Sequence, residues 1–262
     1  MDQPAYALVT GASSGIGEHF ARALAARRRN LLLVARSRAK LESLAEELRR
    51  AHGVLAEALP FDLSAPGAAE ALAAALGERG IEVDLLVNNA GFGRRGEFAR
   101  LALDRQSEMI RLNVHAVVEL THRLLAPMMA KRRGAIINVS STASFQPVPW
   151  TTVYAATKAF VTSFSLGLAE EVRQHGIVVV TLCPGGTETN FFEASSYGTR
   201  KIPGGLQPAG EVVDAALDRL ERGGLVVPRW FNKLGVFVQR FLPRSLVTKV
   251  TADLFRSAKD AE

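Results

Sequence analysis

The stretch "YALVTGASSGIG", residues 6–17, decides the fold prediction. A short apolar run leads into Gly11, Gly15 and Gly17, and a segment with helical spacing follows. Glycine permits a tight turn, and free N–H groups at a helix N-terminus bind anions, with Ser13 and Ser14 as further donors. The pattern predicts a strand, a phosphate-binding turn and a helix. The alternative is a turn that merely connects strand to helix, which the position after the first strand disfavours.

Outward from this turn, continuous Val/Ile/Leu runs alternate with amphipathic segments. The runs predict strands at 6–11, 30–36, within 53–63, 83–91, 134–141, 176–185 and 225–230, and helices at 15–29, 38–51, 66–79, 104–132, 151–174 and 209–223. Such strands are buried on both faces, which is typical of a parallel sheet between two helical layers. We therefore predict an α/β fold, a doubly wound Rossmann-type parallel sheet of about seven strands that binds ligands at the carboxyl ends of its strands. Residues 1–230 would form this single domain, and 231–262 an amphipathic extension of it.

Composition narrows the class of protein. The 262 residues carry a net charge of +6, but the basic residues form short scattered clusters, so nucleic-acid binding is not expected. Cys183 is the only cysteine, which excludes an internal disulfide and a multi-cysteine metal site, and we expect no metal. The sequence opens without a secretory signal pattern and has no window of 18 apolar residues, so a cytoplasmic location is expected.

The end of the second predicted strand bears on the choice of dinucleotide. NAD enzymes place a carboxylate there for the ribose 2′-hydroxyl, whereas this strand ends in Arg36, Ser37 and Arg38. A guanidinium binds a 2′-phosphate that a carboxylate would repel, so NADP(H) is favoured over NAD(H), with Arg36 as the main contact. Alternatively, Arg36 caps the strand in solvent. Asp62 would accept from the adenine amino group, or cap a helix that begins near Ser64.

Further motifs follow in order along the chain: "NNAG" (88–91), "RLNV" (111–114), "INVSS" (137–141), "YAATK" (154–158) and "PGGTET" (184–189). Together with the glycine turn they resemble the short-chain dehydrogenase/reductase family over residues 6 to about 190. The resemblance implies four catalytic residues, Asn113, Ser141, Tyr154 and Lys158. Ser141 is preferred over Ser140 because it lies thirteen positions before the tyrosine. The resemblance also implies that the cofactor contacts include Ile16, Leu63, Asn89, Ala90, Gly91, Tyr154, Lys158, Pro184, Gly185, Thr187 and Thr189.

The chemistry of these residue types suits an oxidoreductase that moves hydride between a nicotinamide and a carbonyl or secondary alcohol. The developing alkoxide needs a proton, which Tyr154 would supply, and hydrogen-bond donors, of which Ser141 would be one. Lys158 lies one helical turn from Tyr154 and would lower the tyrosine pKa and hold the ribose. Asn113 would anchor a water in a proton relay. The alternative is a regulator that binds the dinucleotide without catalysis.

Two segments bear on substrate and partners. The segment at about 188–209 contains Phe191, Phe192 and Tyr197 and predicts a lid over an apolar substrate. The tail, residues 230–256, divides at Pro243 into two short amphipathic pieces. It would cover the substrate cleft or form a subunit interface, and membrane contact is the less favoured alternative. The resemblance also implies a homodimer or homotetramer built on helices 104–132 and 151–174.

Overall fold

The protein is described by a computed structural model that covers residues 4–189, 191 and 205–255. Its centre is a seven-stranded, entirely parallel sheet with the strand order β3-β2-β1-β4-β5-β6-β7. The strands are β1 (Ala5–Thr10), β2 (Asn30–Ala35), β3 (Ala56–Pro60), β4 (Glu82–Asn88), β5 (Gly134–Val139), β6 (Ile177–Leu182) and β7 (Gly224–Val226). The predicted doubly wound sheet is confirmed.

Helices connect the strands and cover both faces of the sheet. They are α1 (Gly15–Ala26), α2 (Arg38–His52), α3 (Ala68–Glu78), α4 (Leu103–Ile110), α5 (Ala116–Ala130), α6 (Thr152–Arg173), α7 (Ala209–Leu217), α8 (Trp230–Val238) and α9 (Arg244–Phe255). One core cluster packs α1, α2 and α7 against the sheet, and a second packs α3, α5 and α6 against the other face. The two clusters explain why the strand sequences are apolar at consecutive positions instead of alternating ones.

The long helix predicted at 104–132 is interrupted. A π-helical turn, Arg111–His115, separates α4 from α5, and Pro127 lies in the last turns of α5. Pro127 has no N–H, so the helical hydrogen bond to the carbonyl of Arg123 is absent, and the helix ends three residues later. The π turn widens the backbone at Asn113, and such turns occur often at functional sites.

The strand order reverses between β1 and β4, which are neighbours in the sheet although β2 and β3 intervene in sequence. At such a switch point the helices leaving adjacent strands diverge to opposite faces and open a crevice at the carboxyl ends of the strands. The glycine turn follows Thr10 at the end of β1, and "NNAG" begins at Asn88 at the end of β4. The topology thus brings two of the predicted motifs together.

Candidate active site

Two positions of the glycine turn, Gly11 and Gly17, require a residue without a side chain. A Cβ atom on Gly17 would lie 2.2 Å from the carbonyl oxygen of Gly11, and Gly11 itself has a φ of +67°. Asn89 Nδ2 donates to the carbonyl of Thr10 at 2.9 Å, and the Thr10 hydroxyl accepts the N–H groups of Asn89 and Ala90 at 2.9 and 3.0 Å. "NNAG" therefore clamps the turn from the neighbouring strand, and the close backbone approach fits a pyrophosphate.

A single cavity of about 880 Å³ runs from this turn along the carboxyl ends of the strands. Nineteen of the twenty-two predicted site residues line it: Gly11, Ser13, Ser14, Gly15, Ile16, Arg36, Ser37, Asp62, Leu63, Asn89, Ala90, Gly91, Ser141, Tyr154, Lys158, Pro184, Gly185, Thr187 and Thr189. Gly17, Arg38 and Asn113 do not line it. Gly17 packs behind the turn, and Arg38 pairs with Glu42 at 3.4 Å on the outer face of α2. An elongated cleft of this kind fits the outline of a dinucleotide with a substrate beyond it.

The end of the cavity near β2 has the polarity expected for an adenosine ribose. Arg36 is 64% exposed, and its guanidinium lies 3.5 Å from Glu108, so it is only weakly held. Asp62 Oδ1 accepts from the backbone N–H and the hydroxyl of Ser64 at 3.0 and 2.6 Å. Burial would raise the pKa of Asp62, but these hydrogen bonds outweigh burial and hold the pKa below its ordinary value. Asp62 does not cap a helix near Ser64, because α3 begins only at Ala68.

Tyr154 and Lys158 lie one turn apart on α6, and both side chains are buried. Lys158 Nζ donates to the carbonyl of Val139 at 2.7 Å and lies 5.9 Å from the centre of the Tyr154 ring. The Ser141 side chain lies close enough to the Tyr154 phenol to lower its pKa. The Ser140 hydroxyl instead donates to the carbonyl of Lys158 at 2.8 Å. Of the two serines, Ser141 is therefore the one placed beside the phenol.

Burial governs the ionisation of this pair. It raises the pKa of Tyr154 to about 12, and the neighbouring Ser141 side chain offsets only part of the rise. Burial also lowers the pKa of Lys158 to about 8. Burial is the largest influence on the pKa of Tyr154, and the lowering effect expected from Lys158 stays a prediction. At neutral pH the phenol is protonated and the lysine is charged.

Asn113 lies behind the cavity wall and is fully hydrogen-bonded to protein. Its Oδ1 accepts from the N–H of Phe92 at 3.1 Å, and its Nδ2 donates to the carbonyl of Phe92 at 3.0 Å and to the Thr157 hydroxyl at 3.1 Å. Thr157 in turn donates to the carbonyl of Tyr154 at 2.7 Å. The side chain of Asn113 thus ties the loop after β4 to the helix that carries Tyr154. Its role in a water relay stays a prediction.

Sequence reasoning missed a buried polar ladder beneath the site. Asn88 Nδ2 donates to Thr121 Oγ1 and Asn138 Oδ1 at 3.0 and 2.9 Å, and Asn138 Nδ2 donates to Ser165 Oγ at 2.9 Å. Polar residues inside otherwise apolar strands were the available signal, because a buried amide must find partners. The ladder fixes the spacing of β4, β5 and α6, and therefore the position of the helix that carries Tyr154.

The tail closes the other end of the cavity. Apolar side chains from α8 and α9 line it, together with Phe191, whose ring centre lies 5.6 Å from that of Tyr154. Thr251 Oγ1 donates to the carbonyl of Pro147 at 3.0 Å, and Arg95 Nε donates to the carbonyl of Phe255 at 3.1 Å. The tail therefore lines one end of the cleft, while the subunit-interface and membrane alternatives stay predictions. Phe192 and Tyr197 lie outside the described residues.

Three further features of the described residues bear on chemistry. Cys183 is buried, and burial raises the pKa of its thiol, so it serves as a small core residue. Across residues 4–189, 191 and 205–255, histidine, cysteine and acidic side chains form no group of three suited to a metal ion. Within the same ranges, the helices are too short or too polar to cross a membrane.

A glycine turn at a strand-order switch, joined by one cavity to Ser141 and to the buried Tyr154 and Lys158, is the arrangement expected of a dinucleotide-dependent oxidoreductase. The comparisons agree: the family model for short-chain dehydrogenases matches residues 5–199, and the chain belongs to the short-chain dehydrogenase/reductase family. The family recognition and the oxidoreductase prediction are confirmed at this level.

Three known proteins illustrate the relationship. A very-long-chain 3-oxoacyl-CoA reductase-like protein of Arabidopsis thaliana is 34% identical over 92% of this chain and 78% of its own length. A very-long-chain 3-oxoacyl-CoA reductase of Laccaria bicolor is 37% identical over 67% of this chain, but the match spans only about half, 52%, of that protein. The solved structure of a short-chain dehydrogenase from Sphingobium yanoikuyae in complex with NADPH is 32% identical, covers 97% of both chains and superposes with a TM-score of 0.83.

Proposed function

We propose that the protein is an NADP(H)-dependent oxidoreductase that interconverts bulky apolar ketones and secondary alcohols. The observation that carries the proposal is the continuity of the cavity. It begins at the glycine turn, passes Ser141, Tyr154 and Lys158, and ends among apolar side chains of the tail. A dinucleotide and an apolar substrate can therefore meet beside the buried phenol of Tyr154 and the neighbouring Ser141.

The catalytic roles follow from the protonation states. The reduced dinucleotide supplies hydride when bound. Tyr154, whose pKa is about 12, keeps its proton at neutral pH and donates it to the alkoxide oxygen that develops from the ketone. Ser141 hydrogen-bonds the same oxygen and stabilises its charge. Lys158, with a pKa of about 8, is positively charged at neutral pH. This charge stabilises the negative charge that forms on the phenol oxygen when Tyr154 gives up its proton. These states favour reduction of the ketone at neutral pH.

The preference for NADP(H) is assigned to the end of β2. Arg36 and Ser37 line the cavity there, and the strand ends without a carboxylate. The guanidinium of Arg36 would form a forked, charge-assisted hydrogen bond with a 2′-phosphate. The related structure from Sphingobium yanoikuyae was solved with NADPH, which supports the same assignment.

The substrate class is inferred from the wall opposite the glycine turn. Val236, Val247 and Leu254 line this part of the cavity together with Phe231 and Leu242. Aliphatic and aromatic walls favour apolar ligands by burying their surface, at roughly 25 cal/mol per Å². One relative named as a very-long-chain 3-oxoacyl-CoA reductase and another named as a protein like that reductase support a substrate with a long apolar portion next to its carbonyl.

The test is the oxidation of NADPH with a panel of ketones that differ only in chain length. The proposal expects turnover that rises in kcat/KM as the alkyl chain lengthens, and at least about tenfold higher kcat/KM with NADPH than with NADH. Saturable NADPH binding with no turnover on any member of the panel would instead establish a non-catalytic dinucleotide-binding protein.

A homodimer or homotetramer in the cytoplasm completes the proposal. Helix α6 exposes Phe160 and Leu166, and the rings of Phe160 and Phe164 stack with centres 6.0 Å apart. Exposed apolar groups on a helix suit a subunit interface. Light-scattering mass measurement should give two or four chains, and Phe160→Glu should lower that mass, whereas a monomer would refute this part of the proposal.

A further inference from the structure

Helix α8 and the 3₁₀ turn that follows it, Gln239–Phe241, carry an apolar stripe that neither the core nor the cavity uses. The stripe consists of Trp230, Leu234 and Phe237, which share one face of α8, and of Phe241 in the 3₁₀ turn, which continues the stripe through its ring contact with Phe237. Their exposed fractions are 74%, 48%, 56% and 73%. None of the four lines the cavity. Large apolar side chains gathered in this way on a surface mark an interaction site.

The stripe is preorganised by contacts on the opposite side of the helix. Val236 is buried in a small cluster with Cys183 and Val227. Asn232 packs so closely on the loop after β6 that a Cβ atom on Gly185 would lie 2.5 Å from its Nδ2. These contacts fix the rotation of α8 and turn the stripe outward. The rings of Phe237 and Phe241 meet edge to face, 5.2 Å apart, and form a continuous aromatic ridge.

The basic residues around the stripe indicate which kind of partner binds it. Lys233 and Arg240 each immediately precede a stripe residue, seven positions apart, and both are exposed. Residues 230–255 contain four basic side chains and a single carboxylate, Asp253, a formal charge of +3. The whole chain is also positive at +6, so a second copy would meet this surface with like charge. An anionic surface would be attracted, and apolar residues beside lysine and arginine are typical of helices that lie in a membrane interface.

We propose that the Trp230–Leu234–Phe237–Phe241 stripe binds the surface of a bilayer that contains anionic lipid. Helix α8 lies in the plane of the interface, with the stripe in the boundary layer and Lys233 and Arg240 at the phosphate groups. Nine residues of helix measure about 14 Å, far less than the roughly 30 Å of a hydrocarbon core, so the contact is peripheral. Phe231, Val238 and Leu242 border the stripe and line the cavity, so the apolar end of the cleft lies next to the lipid.

The decisive experiment is flotation of the full chain with vesicles of phosphatidylcholine alone or mixed with phosphatidylglycerol. The test variant is Phe237→Asp combined with Phe241→Asp. The matched control is Phe98→Asp, because Phe98 is a phenylalanine 62% exposed that belongs to the 3₁₀ turn Phe98–Arg100 and not to the stripe. We expect binding to the mixed vesicles that weakens with added salt, at least about tenfold weaker binding of the double variant, and unchanged binding of the control.

Two readouts separate this proposal from its competitors. The fluorescence of Trp230, in a Trp150→Phe background, should shift to the blue on addition of mixed vesicles but not of phosphatidylcholine alone. Reduction of a small water-soluble ketone should be the same in the double variant as in the control, so that loss of vesicle binding is distinct from loss of catalysis. Undiminished vesicle binding of the double variant would overturn the proposal. So would a lower oligomeric mass of that variant with no lipid binding by the parent chain, since a second copy would then cover the stripe.

Discussion

The two ends of the cavity are built in different ways. At the nucleotide end, backbone groups at the ends of β1 and β4 are locked by Thr10 and Asn89, and glycine is required because a Cβ atom would overlap the backbone. At the substrate end, side chains of α8 and α9 form the wall, and many of these side chains are also exposed to solvent. Under the proposed function, rigid backbone would hold the dinucleotide, while exchangeable side chains would select the substrate. Substitutions at the two ends should therefore have separable effects.

The largest effect is expected from Gly17→Ala, at the nucleotide end. The added Cβ atom would lie 2.2 Å from the carbonyl oxygen of Gly11, so α1 must move away from β1 and the turn must deform. We expect loss of measurable NADPH binding and a destabilisation of about 3 kcal/mol. Fluorescence titration with NADPH and denaturant unfolding measure the two effects.

Gly77→Ala is the matched control for this substitution. Gly77 is also helical, but a Cβ atom there would have no neighbour within 4 Å. It should leave NADPH binding unchanged and stabilise the protein by roughly 0.5 kcal/mol. Equal behaviour of the two alanine variants would refute the close-packed turn.

The next effect concerns the cofactor preference at the end of β2. Arg36→Asp should lower kcat/KM with NADPH and raise it with NADH, changing the ratio by about a hundredfold, because a carboxylate repels a 2′-phosphate and accepts from a 2′-hydroxyl. Arg38→Asp is the control, since Arg38 lies outside the cavity and pairs with Glu42. Similar changes in the two variants would mean that long-range charge, not a direct contact, sets the preference.

A third prediction uses the pH dependence at the junction of the two ends. The pKa of Lys158 is lowered to about 8, so its charge is present below that pH and lost above it. Tyr154 stays protonated over the same range, because its pKa is about 12. Ketone reduction should therefore be level below pH 8 and fall toward tenfold for each pH unit above it. Steady-state rates at saturating NADPH measure the profile, and a level profile from pH 7 to about 10 would contradict the assigned role of the lysine charge.

The smallest effect is expected at the substrate end. Val247→Phe adds bulk to a side chain that lines the cavity, and should lower kcat/KM for a bulky ketone about tenfold while leaving the Kd for NADPH unchanged. Leu246→Phe is the control, because Leu246 is exposed and does not line the cavity. A change in NADPH affinity in Val247→Phe would show that the two ends are not separable.

The nucleotide end could be predicted from the sequence more completely than the substrate end. Apolar strands and the Gly11–Gly17 turn carry local signals, because strand burial and glycine geometry depend on nearby residues. The π turn at Asn113 carries no such signal, since its backbone is set by contacts with Phe92 and Thr157 from distant parts of the chain. The amphipathic pattern of the tail predicted its two helices and the break at Pro243. The pattern does not specify what covers the apolar faces of those helices.

The pKa of Tyr154 could not be predicted from the sequence for a related reason. Spacing along α6 correctly places Lys158 one turn away, and a nearby cation does lower a phenol pKa. The sequence does not reveal how completely the sheet, the loop after β5 and Phe191 bury the phenol, and it is burial that raises its pKa to about 12. The spacing along α6 predicted that Lys158 lies near Tyr154, but the burial that the whole fold produces determines the pKa of the phenol.

The central claim is that Tyr154 supplies the proton at the meeting point of the two ends. It is tested most directly by comparing Tyr154→Phe with the parent chain in NADPH titration and in ketone reduction. We predict an unchanged Kd for NADPH and a loss of kcat of at least about a thousandfold, because phenylalanine keeps the ring but removes the proton donor. Turnover within about tenfold of the parent chain would contradict the claim.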